Sequence, residues 1–169
     1  MRKKVKGQLV FEFLVAVLIF FGILFYVLNY LGSSVSSYRE AYASESMEGL
    51  SYKIGELLAM NKGNWSNGIP AVVGLAEGWP VLNWSKIQWL NEYCAPANPA
   101  NYQDLKRKLG IDDREGFSVV VDEIRPGGSI NNLAKCPSGS VPEIRQAQST
   151  RYGILDTTRN VVVIKTFVW

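Results

Sequence analysis

The side chains able to do chemistry are few, and their spacing limits what they can do. Histidine is absent from all 169 residues. That removes the commonest general base, the usual partner of a serine or cysteine nucleophile, and the commonest metal ligand. The two cysteines, Cys94 and Cys136, lack the paired spacing of a zinc site. One disulfide in an exported domain is the better reading. Closing a loop of about forty residues stabilises a fold by roughly 4 kcal/mol on the chain-entropy account. Asp112, Asp113 and Glu115 lack the ordered spacing of a calcium loop and read as a solvated turn. Asp122 and Glu123 are neighbours in an extended run, so their carboxylates point to opposite faces. No phosphate-binding glycine motif and no nucleophile elbow is present. The reading is a chain with no catalytic residue, no metal site and no cofactor, and so not an enzyme.

One carboxylate stands out by its surroundings. Glu12 lies inside the apolar run Leu9 to Leu31, which has only Asn29 as a second polar interruption. A charged side chain at mid-bilayer costs about 2.5–3.5 kcal/mol on insertion scales, and less near a helix end. The run is long enough to span a bilayer core of about 30 Å. Before it stands a short basic head, MRKKVKG. The head is expected to stay in the cytoplasm and the bulk of the chain outside. Of the 18 basic residues, Arg2, Lys3, Lys4 and Lys6 belong to this head, leaving 14 against 15 acidic ones. The remainder is near neutral, so a nucleic-acid partner is not expected. The other basic run, Lys106-Arg107-Lys108, reads as a solvated helix face.

The elements that position these residues follow from periodicity. Tyr38 to Met60 is amphipathic, with Met47, Leu50, Ile54, Leu57 and Leu58 at spacings of three and four. Gly32-Ser33-Ser34 is a soft spot between it and the apolar run. Asn61-Lys62-Gly63 is a stop signal, with Gly63 suited to the left-handed conformation. A helix continuous from Leu9 to Asn61 would be roughly 80 Å long. Residues 64–84 read as turns with short extended pieces. Ser85–Tyr93 and Tyr102–Leu109 read as short helices, the first with Ile87 and Leu90 inward, the second closed by Gly110. Phe117–Ile124 is a strand ended by Pro126-Gly127-Gly128. Arg151–Leu155 and Val161–Val168 read as a β-hairpin. The fold class is α+β: a long N-terminal helix, then a small antiparallel sheet with short helices.

Cleavage after Gly7 makes Gln8 the new N-terminus and Glu12 its fifth residue, one helical turn away. In a bundle of apolar helices, a carboxylate paired with such an amine fixes register, because misaligned neighbours leave a charge unpaired. Gly7, Gln8, Glu12 and the apolar run together resemble the class III signal peptide of archaeal type IV pilin-like proteins. Two positions depart from the usual pattern: Val10 stands where Ser is common and Ala16 where Leu is. The resemblance implies a prepilin peptidase that cuts between Gly7 and Gln8. It also implies an assembly ATPase and a membrane platform protein as partners. The product is a homo-oligomeric helical filament. On this layout residues 1–7 are a cleaved leader. Residues 8–62 form the long helix, in the membrane as precursor and in the filament core when assembled. Residues 63–169 form an extracellular α+β domain suited to adhesion.

Asn64-Trp65-Ser66 and Asn83-Trp84-Ser85 both fit the N-glycosylation acceptor pattern, and both fall in the turn-rich outer region. Pilins of this kind are commonly glycosylated, so the resemblance implies modification at Asn64 or Asn83. Trp65, Trp79, Trp84, Trp89 and Trp169 read as packing residues rather than a sugar-binding platform. An uncleaved single-pass membrane protein with an extracellular binding domain is the alternative function. An ordinary secretory signal fits less well, because the apolar run is too long and no small-x-small site follows it.

Overall fold

Long apolar and amphipathic periods give a helix; β-branched runs broken by Gly and Pro give a sheet. The computed structural model describes residues 3–66, 69–94, 99–137 and 146–169, apart from the side chains at 3–9, 36, 37, 39, 40, 69 and 99. The protein is α+β. In chain order the elements are α1 (Lys3–Met60), β1 (Asn64–Ser66), β2 (Ile69–Val72), β3 (Ala76–Gly78), β4 (Val81–Leu82), α2 (Trp84–Tyr93), α3 (Pro99–Leu109), β5 (Phe117–Ile124), β6 (Ile130–Cys136), β7 (Ala147–Leu155) and β8 (Val161–Val168). The chain divides into two units, Met1–Ala43 and Ser44–Trp169.

The first unit is helical throughout its described part, including Gly32-Ser33-Ser34. The stretch Val10–Val35, 26 residues, is long and apolar enough to cross a membrane.

The second unit is built on a six-stranded sheet in the order β3-β4-β7-β8-β5-β6, with β1 and β2 as a separate pair. Pairing is antiparallel except between β4 and β7, where Val81 and Leu82 lie beside Ile154 and Leu155 in parallel. Alternate residues of the central strands point to one face. Phe117, Val119 and Val121 of β5 and Val162, Ile164 and Val168 of β8 are all buried there. They form one core with Ile54 and Leu58 of α1, Ile87 and Leu90 of α2, and Leu105 and Leu109 of α3. Each such side chain contributes about 1.5–3 kcal/mol on burial.

The last turns of α1 meet the sheet through small residues. Ser51, Gly55 and Ala59, spaced by four, are all buried. The Ser51 carbonyl accepts hydrogen bonds from Ser149 Oγ and Thr166 Oγ1, both at 2.9 Å. A Cβ on Gly55 would stand 2.5 Å from Ser149 Oγ. Gly55→Ala is therefore expected to destabilise the unit by about 1–2 kcal/mol, despite alanine's higher helix propensity, because Ser149 must leave its bonds or the helix must lift. Urea denaturation followed by tryptophan fluorescence checks this, since all five tryptophans lie in this unit. An unchanged or higher midpoint would show that the helix docks less tightly than the geometry says.

Several boundaries match the sequence reading. Helix α1 ends at Met60, and Gly63 takes φ +68°. Helix α3 is closed by Gly110 at φ +72° but begins earlier than Tyr102, at Pro99. Pro is well suited to the first helical position, where no backbone N–H is needed. Pro126-Gly127-Gly128 does end β5, but as the turn of a hairpin into β6, a strand the sequence reading lacks. Strand β7 starts at Ala147 rather than Arg151. One expectation is overturned: Lys106 is 2 % exposed, not on a solvated face. Its aliphatic stem packs inward and its ammonium donates to the Asp113 carbonyl at 3.1 Å, while Arg107 remains exposed.

Candidate functional site

The residues proposed for processing and assembly lie at the start of α1. Gly7 and Gln8 belong to the helix backbone, with their side chains outside the described residues. Glu12 is exposed, two residues into the membrane-length span. Around and beyond it Phe11, Phe13, Leu18, Phe20 and Phe25 are 61–70 % exposed. Within its own unit this apolar surface is left uncovered among the described residues. Helices in this state are covered by lipid or by neighbouring helices. Without such cover the surface aggregates.

No family model, curated protein or solved structure matches this chain.

Cys94 and Cys136 form a disulfide. It ties the residue that caps α2 to the last residue of β6. Both cysteines are buried.

The two sequons sit on different local structures. Asn64, Trp65 and Ser66 make up β1, with Asn64 and Ser66 exposed and Trp65 turned inward. Asn83 is the N-cap of α2. Its Oδ1 accepts from the Lys86 backbone N–H at 3.2 Å, and its Nδ2 donates to Glu77 Oε2 at 3.2 Å.

Four of the five tryptophans have packing partners. Trp65 meets Trp89 edge to face at 5.1 Å, and Trp89 stacks on Tyr93 at 4.4 Å. Trp65 Nε1 donates to the carbonyls of Lys62 and Gly74. Lys86 Nζ, over the Trp65 ring, donates to the carbonyls of Lys62 and Ala76 at 2.7 Å each. Burial lowers the Lys86 pKa, with Glu77 opposing. Burial first, then the bond to Asp104, pushes the Tyr93 hydroxyl up to about 12. Asp104 is held below its ordinary value by Lys108 and then Tyr93. The polar groups of this cluster are committed to one another, as befits a structural joint. Trp84 packs against the core and Trp169 lies across Gly116, where a side chain on residue 116 would collide with the indole. Trp79 is 49 % exposed.

The acidic residues divide as the strand geometry predicts. Asp122 bonds Asn132 Nδ2 at 2.9 Å and Lys165 Nζ at 3.1 Å. Glu123 points the other way and shares none of these partners. Its Oε1 accepts from Thr158 Oγ1 at 2.8 Å and Asn160 Nδ2 at 2.9 Å. Its Oε2 accepts from Arg125 Nε at 3.1 Å and Asn131 Nδ2 at 3.3 Å. The bonds from Asn160 and Thr158 are the main cause of a pKa lowered from 4.5 to about 2. The sequence gives no hint of this cluster, because its donors come from two hairpins far apart in the chain. Asp112 Oδ1 accepts from the Arg114 backbone N–H in a local turn. Among the described residues no group of three acidic, histidine or cysteine side chains is placed to hold a metal ion.

Proposed function

We propose that the protein is the structural subunit of an extracellular filament resembling type IV pili. It is made as a membrane-inserted precursor and cut between Gly7 and Gln8 by a prepilin peptidase. An assembly ATPase and a membrane platform protein then move it from the bilayer into the filament. The observation that carries this reading is the exposed apolar span Val10–Val35 with a carboxylate, Glu12, two residues inside it. A plain membrane anchor needs no such charge and is weakened by it. In a packed helix bundle the same charge specifies register by meeting the amine of a cut neighbour at Gln8. The disulfide-bonded second unit then faces outward and meets surfaces or cells.

The deciding measurement is the N-terminal peptide of protein sheared from the cell surface, read by mass spectrometry. A start at Gln8 supports the filament subunit. A start at Met1 or Arg2, with the protein confined to membranes, points instead to an uncleaved single-pass protein with an extracellular binding domain. Glu12→Ala is expected to leave the precursor inserted and folded while reducing filament yield at least several-fold, counted by electron microscopy. Normal filament numbers in that variant would remove the assembly role of Glu12.

A further inference from the structure

The two sequons are equivalent as patterns but not as structures, and the difference selects between them. An oligosaccharyltransferase needs an asparagine amide it can turn and a hydroxyl two residues on that it can reach at the same time. In a strand, residues i and i+2 share a face. In β1 that face is the solvent face: Asn64 and Ser66 are both exposed, while the bulky middle residue Trp65 points inward. Trp65 is anchored there by its two carbonyl bonds and by Trp89. The anchor holds the tripeptide extended, with the acceptor side chains outward. Among the described residues neither Asn64 nor Ser66 uses its side chain in a hydrogen bond.

Asn83-Trp84-Ser85 is arranged in the opposite way. It forms the first turn of α2, where side chains two residues apart diverge by roughly 200° around the axis. Both polar atoms of the Asn83 carboxamide are engaged, and the Trp84 backbone N–H is fixed to Asp156 Oδ1 at 3.0 Å. Freeing Asn83 for reaction removes the cap of α2 and breaks the bond to Glu77.

We infer that Asn64 is an N-glycosylation site of the folded protein, and that Asn83 is a helix cap left unmodified. The co-reactant is a polyprenyl-phosphate-linked sugar. Asn64 Nδ2 attacks the anomeric carbon, a C–N bond forms, and the C–O bond to phosphate breaks. The amide gives up one proton to base, and the polyprenyl phosphate or diphosphate leaves with the bonding pair. No oxidation or reduction is involved.

The test is glycopeptide mapping of the full chain recovered from its own cells, with cleavage after Lys62, Glu77 and Lys86 so that the sequons fall on separate peptides. Sugar mass on the Asn64 peptide and none on the Asn83 peptide is expected. Ser66→Ala is expected to abolish the added mass, and Ser85→Ala to leave it unchanged. Both serines are exposed, so neither change threatens the fold. Bare peptides at both positions, sugar on Asn83, or added mass that persists in Ser66→Ala would each overturn the assignment. This outcome is independent of where the N-terminus lies, so it stands or falls apart from the filament reading.

Discussion

Glu123→Ala is expected to lower the stability of the second unit by about 3–5 kcal/mol, the range seen when one partner of a buried charged cluster is removed. Glu123 is 3 % exposed and accepts from four side chains. Arg125 and Asn131 flank the turn joining β5 to β6. Thr158 and Asn160 lie in the turn joining β7 to β8. One carboxylate thus clasps the turns of two hairpins that are adjacent in the sheet through the β5–β8 pairing. Truncation removes the acceptor those donors share; Arg125, whose side chain is 53 % exposed, and Thr158, also exposed, can turn to solvent, while Asn131 and Asn160 are half-buried. Glu123→Gln keeps the size and still costs about 2–3 kcal/mol, because an amide nitrogen then faces one pair of donors.

The same cluster sets a pH dependence. The folded pKa of Glu123 is depressed to about 2 from 4.5. Its contribution is therefore complete above the unfolded value and is lost as pH falls from 4.5 towards 2, because the unfolded chain takes up the proton first. Urea midpoints of the detergent-solubilised chain, read by tryptophan fluorescence between pH 7 and pH 2, should fall most steeply in this window. In Glu123→Gln the slope should flatten there. A wild-type curve with no fall below pH 4.5, or an equal fall in the variant, would show that the clasp is not the acid-sensitive group.

What was legible in the sequence is what depends on a residue and its near neighbours. The apolar run of α1, the β-branched runs of β5 and β8, and the left-handed glycines at 63 and 110 follow from local rules. Strand β6 did not. Its sequence INNLAKC has three strongly polar residues in seven, and strand propensity depends on what lies across the ladder. Asn131 and Asn132 belong there because Glu123 and Asp122 receive their amides. Lys106 failed for a related reason. A run of three basic residues says nothing about which one follows Leu105 and Leu109 inward, and only the turn at Asp113 supplies its carbonyl. The Glu123 cluster was invisible because its donors at 125, 131, 158 and 160 converge only once the sheet is paired. The processing residues Gly7, Gln8 and Glu12 form the reverse case. Their proposed roles rest wholly on sequence, because the proposed function has a partner helix complete that site.

Replacing both cysteines with alanine is expected to cost the second unit about 4 kcal/mol, the chain-entropy value for a cross-link of this span. Cys94 and Cys136 are 42 residues apart in sequence. The bond joins the end of α2 to the end of β6, which among the described residues has only β5 as a sheet partner. Without it β6 keeps its hydrogen bonds to β5 and its side-chain bonds to Asp122 and Glu123, but α2 and the strand are no longer linked while the domain searches for its fold. A domain of this size has a total stability of about 5–15 kcal/mol, so the loss is roughly a quarter of it or more. The variant should show a lower urea midpoint and earlier proteolysis, while the wild type should resist reductant until it unfolds, because both sulfurs are buried. A midpoint shift worth less than about 1 kcal/mol would show that core packing alone holds α2 against β6. A unit that gains this much from a disulfide reaches full stability only where disulfides persist, outside the reducing cytoplasm. On the proposed pathway, the helix would insert and carry the unit across the membrane before the disulfide closes, and a filament would then receive a unit already folded outside.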